Sequence, residues 1–181
     1  LRMGCYIGDN IEEVISPSFR KDIPYNCIRT FRPADLDDTI VKLQCGDKYL
    51  YIPRYMRPLT VSKGLMSIED YFTNPDIKIP NIWSYAYTTI CKENMAFLEY
   101  IEFGSESAKI YLKQNSKKIA LRFVHEDNEE STITLVKTGL VSPKAMRELL
   151  EKAIEKNMTI LQSYILQQLN ADGISKRDFH I

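Results

Sequence analysis

The chain has 181 residues, 44% apolar and 27% charged, which suits one domain, or one domain carrying a smaller inserted one, with a real core. Lys+Arg and Asp+Glu balance at 24 each, and the balance is local: residues 1–90 carry 11 of each sign and residues 91–181 carry 13. That evenness disfavours strong direct binding to a phosphate backbone, which calls for a basic excess or stripe, and no apolar run approaches the roughly 18 to 20 residues of a membrane span.

The start, Leu1-Arg2-Met3-Gly4, has no signal-peptide core and no initiator Met, so an upstream segment is expected. Cys5, Cys27, Cys45 and Cys91 lie far apart and form no CxxC or Cys/His pair. They read as buried or free thiols in a reducing, intracellular compartment, with no metal and no cofactor. Residues 1–38 mix apolar, acidic and turn residues. Thr39 to Leu43 and Lys48 to Ile52 read as two strands joined at Gly46-Asp47. Residues 63–94 read as irregular, with Pro75 and Pro80 marking loops.

Further on, Phe97–Phe103, Ser107–Leu112, Lys118–His125 and Ser131–Lys137 are expected to form an antiparallel meander. The third places Ile119, Leu121 and Phe123 on one face and Ala120, Arg122 and Val124 on the other. No internal repeat or low-complexity tract is legible. After Thr138-Gly139, Ser142 is a good N-cap and Pro143 suits the first helical position. One helix of about 27 residues is expected over 144–170, roughly 40 Å long. Met146, Leu150, Ile154, Met158, Leu161, Ile165 and Leu169 form its apolar stripe, widened by Leu149, Ala153 and Tyr164. Such a helix exceeds what a small sheet covers, so the second half, from Met158 to Leu169, is expected to meet a partner; burial within the domain is the alternative.

Catalytic signatures are thin. His125 sits beside Glu126 and Asp127, and His180 is next to the last residue. There is no GxSxG, HExxH, P-loop or GxGxxG. Asp35-Leu36-Asp37, with Asp38, is the one acidic triplet that could share a divalent cation, and a solvated loop explains it better. Glu12-Glu13 reads as a solvated pair. Arg54, Arg57 and Lys63, near Tyr51 and Tyr55, could touch nucleic acid or an acidic surface, although scattered positives usually only solubilise.

Three stretches resemble the alpha-like (third-largest) subunits of multisubunit DNA-directed RNA polymerases. They are Leu1–Ile7, Thr39–Leu50 with Lys63-Gly64, and Thr138–Lys144 leading into the long helix. Together they cover about a quarter of the chain, in the family's order. The family's first strand and helix, expected ahead of Leu1, and the cysteine-rich loop of some members are missing. The resemblance implies an α+β fold with an antiparallel sheet and a long C-terminal helix. Residues 1–38 and 105–181 would form a dimerisation domain, and 39–104 a small β-rich inserted domain. It implies a non-catalytic assembly subunit that pairs with a smaller alpha-like partner and with the large polymerase subunits. Its place would be the nucleus, or the cytoplasm or virion if the polymerase is viral. A viral or regulatory adaptor using the same C-terminal helix is the alternative, and an enzyme with dispersed residues a third.

Overall fold

The computed structural model describes residues 11–15, 38–57 and 60–171, with backbone alone for 11–15, 61–62 and 171. The fold is mixed α+β, and the chain divides into two compact units, residues 1–109 and 110–181.

In the first unit, β2 (Ile40–Cys45) and β3 (Lys48–Pro53) form the expected antiparallel hairpin, Ile40 facing Pro53 and Cys45 facing Lys48. Gly46, at φ 60°, turns the chain between them. β1 (Ile11–Ile15) pairs parallel to β2, with Ile11 opposite Ile40. Ile40, Val41, Leu43, Leu50 and Ile52 are buried, so the hairpin has side chains covered on both faces. The start of segment 63–94, expected to be irregular, lies in helix α1 (Val61–Thr73), where Gly64, Ile68 and Tyr71 recur at helical spacing and are buried. A Cβ on Gly64 would stand 2.9 Å from Met56 Sδ and 3.2 Å from the Tyr85 ring. That close approach leaves little room for a side chain at Gly64, which lies inside a helix rather than in the turn the resemblance implied.

A single 3₁₀ turn (Ile82–Tyr85) precedes α2 (Thr89–Phe103). Thr88 caps α2 by accepting the Cys91 N–H at 3.1 Å, and Asp38 Oδ1 accepts from that N–H at 3.3 Å and from the Thr88 hydroxyl. Asp38 therefore serves a helix end. Asp35 and Asp37 lie outside the described residues. At its other end α2 meets β3: Glu102 accepts hydrogen bonds from the Tyr49 and Tyr51 hydroxyls at 2.9 and 2.6 Å.

The chain from Phe97 onward corrects the expected meander. Residues 97–137, apart from short turns, are helical: the end of α2, α3 (Glu106–His125) and α4 (Glu129–Lys137). Leu112, Ser116, Ile119, Ala120, Phe123 and Val124 are all buried, and their spacing has a period near 3.6, not 2. The alternation read at 119–124 was a short window on a helix whose core stripe is two residues wide. Thr138-Gly139 accordingly ends a helix instead of a strand, with Gly139 at φ 71°.

The expected single C-terminal helix is two: α5 (Pro143–Glu155) and α6 (Thr159–Ala171). Ser142 and Pro143 hold the predicted positions, the Ser142 hydroxyl accepting the Ala145 N–H at 3.3 Å. The break falls at Asn157, whose φ of 58° is left-handed. The Met158 N–H bonds the Ala153 carbonyl at 2.9 Å and the Asn157 N–H bonds that of Ile154 at 3.1 Å, which closes α5. The apolar spacing runs through the break because both helices face one core, so periodicity alone could not show it.

An internal repeat emerges that the sequence did not make legible. Asp127, thirty positions before Asn157, has φ 57°. Asn128 N–H bonds the Phe123 carbonyl at 2.8 Å, and Asp127 N–H that of Val124 at 3.1 Å, the same pattern as at Asn157. Thus α3–α4 and α5–α6 are equivalent αα-hairpins. Ile119 matches Leu149, Phe123 matches Ala153 and Leu135 matches Ile165, all buried.

Candidate interaction face

The two hairpins stack through bonds between residues 29 to 32 positions apart, as neighbouring repeats do. Lys117 of α3 donates to Glu148 of α5 at 2.8 Å. Lys156, in the second turn, donates to the His125 carbonyl at 2.8 Å and to Asp127 at 2.7 Å, both in the first turn. Glu129 Oε1, at the start of α4, accepts the Leu161 N–H at 2.8 Å and so satisfies a donor in the first turn of α6.

Those bonds identify which face of the first hairpin is covered. Val124 lies seven residues after Lys117, and Val136 seven after Glu129, so each shares the helix face that meets the second hairpin. Both are buried, at 2% and 4% exposure. Their equivalents thirty residues on are Ile154 and Leu166, still aliphatic, but 56% and 43% exposed. The second hairpin repeats the face and leaves it open. Arg147, Glu151, Thr159 and Ser163 are exposed on the same stripes.

The seven residues read as a partner-binding stripe divide accordingly. Met146, Leu150, Met158, Leu161, Ile165 and Leu169 are buried within this chain, and of the seven only Ile154 is exposed. The stripe is the unit's own core. Leu166 and Ile160, exposed on α6, were missed because they stand off the apolar period. The signal that could have found them is charge: α6 carries no charged side chain, in a chain that is 27% charged.

Among the described residues the other sequence candidates do not converge. His125 is exposed in the last turn of α3, and His180 lies outside the described residues. Glu12 and Glu13 lie in β1. Arg57 and Lys63 are exposed, and the Arg57 N–H bonds the Tyr85 carbonyl. Arg54 is half-buried. Cys45 is half-buried and Cys91 buried, both as free thiols, while Cys5 and Cys27 are outside the described residues. Among the described residues no three His, Cys, Asp or Glu side chains are grouped to hold a metal, and no helix is long and apolar enough to cross a membrane.

One buried carboxyl stands apart. Glu99 of α2 is 4% exposed and its Oε1 has no hydrogen-bond partner. Burial pushes its pKa from the ordinary 4.5 up to about 7, against the pull of Ser105 and Trp83. Tyr49 is likewise pushed up to about 12, first by burial and then by its hydrogen bond to Glu102. No protein-family model, curated protein or solved structure matches this chain.

Proposed function

We propose that the chain is a non-catalytic protein-interaction module, docking a partner on the open face of α5 and α6. The observation that carries this is the pair of equivalences Val124 to Ile154 and Val136 to Leu166: an aliphatic pair covered in one hairpin and uncovered in the next. Arrays of helical repeats end in a polar outer face when nothing stacks on them. Here Ile154 and Leu166 interrupt a face whose other exposed residues, Arg147, Glu151, Thr159 and Ser163, are polar.

Scaffolding within a multisubunit RNA polymerase, as the resemblance implies, is the narrower form of this proposal. The sequence likeness of Thr138–Lys144 remains, but a helix leads into it, and helical hairpins stand where the resemblance implied strands feeding one long helix. Near-stoichiometric recovery of the large polymerase subunits with the tagged chain would support that form, and their absence would remove it.

The docking reading is tested by a photo-crosslinking amino acid placed at 166 in cells, with the exposed position 130 as control. One discrete adduct at 166, absent at 130, is expected. No adduct at 166, or the same adducts at both positions, would refute it.

A further inference from the structure

We propose that Glu99 is a proton-operated latch on the corner formed by the 3₁₀ turn, the end of α2 and the start of α3. With its proton it keeps that corner shut, and on losing it the corner opens locally to water.

Hydrogen accounting at the corner calls for the proton. The Ser107 hydroxyl donates to Asn81 Oδ1, at the head of the 3₁₀ turn. Its one hydrogen is then committed, so in the 3.0 Å bond between Ser105 and Ser107 the donor is Ser105. Ser105 Oγ also accepts the Ala108 N–H at 3.4 Å, in the first turn of α3. Ser105 and Trp83 are the side chains placed to serve an ionised Glu99. Ser105 can do so only by taking its hydrogen away from Ser107. Protonated Glu99 leaves that chain of bonds intact. The carboxyl is 4% exposed and its Oε1 has no hydrogen-bond partner, so a charge there lacks donors that only water could supply. Admitting water means opening the corner.

Neighbouring charges do not stand in for the proton. β3 and the 3₁₀ turn pack on α2. β3 brings Lys48, bonded to the Tyr71 and Asn74 carbonyls, and Tyr49 and Tyr51, both bonded to Glu102. The 3₁₀ turn brings Tyr85 and no charged residue. α3 starts with Glu106 and Lys109, paired with each other at 3.3 Å. α2 itself carries Lys92, over the Trp83 ring at 5.5 Å, buried Glu93, and Glu102. The titration of Glu99 is governed by burial, and then by Ser105 and Trp83, rather than by any of these charges.

Trp83 is the single tryptophan and is 8% exposed, so its quenching by acrylamide reports the opening. Two amides report it as well: Ala86, bonded to the Trp83 carbonyl at 3.2 Å, and Ala108, capped by Ser105. In the full chain, quenching should rise from about pH 5 and level off above about pH 7. Over the same range the protection of both amides, corrected for the intrinsic pH dependence of exchange, should fall by up to roughly tenfold per pH unit. Glu99→Gln, neutral at every pH, should keep the low-pH values throughout. Ser105→Ala removes a donor to the carboxylate and should move the course to higher pH. Ser107→Ala frees the Ser105 hydrogen for it and should move the course lower. Far-UV circular dichroism should stay constant, and its parallel loss would mean global unfolding and overturn the latch. A flat wild-type course, one that survives Glu99→Gln, or serine variants that fail to shift it in opposite directions overturns the proposal.

Discussion

Asp127 and Asn157, thirty residues apart, hold the same left-handed backbone, at φ 57° and 58°, and each closes the first helix of an αα-hairpin through the same pair of backbone hydrogen bonds. Asp and Asn are the side chains that accept this conformation at least cost after Gly. Asn157→Gly should therefore be neutral or slightly stabilising, while Asn157→Val should cost about 1–2 kcal/mol. Urea unfolding of the two variants checks this. Equal midpoints would show that the turn is not where α5 must end.

Leu161 and Leu166 sit five residues apart on α6 with opposite fates, the first fully buried and the second exposed. Leu161→Ala should cost about 2–5 kcal/mol and Leu161→Asp should unfold the second unit. Leu166→Asp should change stability by no more than about 0.5 kcal/mol. Thermal melts of the three variants separate core from surface directly. A folded Leu161→Asp protein would contradict the packing described here.

Glu129 accepts the Leu161 N–H across 32 residues of sequence, joining the hairpins where α6 begins. Glu129→Ala leaves that donor without its partner and should cost about 1–2 kcal/mol. The exposed Lys156–Asp127 pair should matter less, with Asp127→Asn costing under about 1 kcal/mol, and less still in high salt. Hydrogen exchange at the Leu161 amide is the local readout, and it should speed up in Glu129→Ala and stay unchanged in Asp127→Asn.

Glu99 makes stability depend on pH in the less common direction. Its folded pKa of about 7 lies above the ordinary 4.5, so the folded state holds the proton more tightly than the unfolded state. The contribution is full below about pH 4.5 and is lost as pH rises through about 7. Its size is on the order of 3 kcal/mol. Glu99→Gln should flatten this part of the profile and raise the melting temperature above pH 7. A wild-type profile that rises between pH 5 and 7, with no difference in the variant, would show that Glu99 is ionised at no cost.

The sequence alone determined the features that depend on neighbours along the chain. The β2–β3 hairpin follows from two apolar runs and Gly46, because a two-residue turn admits one pairing. The start of α5 follows from Ser142 and Pro143, whose capping is local chemistry. Charge balance and the lack of a long apolar run are likewise properties of the residues alone. Only the tertiary structure decided between strand and helix at 97–137, since side chains buried on two helix faces imitate alternation over six residues. It also decided that α5 and α6 are separate, because apolar residues on both sides of Asn157 serve one core and keep one period. The open face needed it most of all. Ile154 and Leu166 acquire meaning only against Val124 and Val136, and that comparison exists only once the hairpins are stacked. Burial belongs to the packing of distant segments, and no local pattern encodes it.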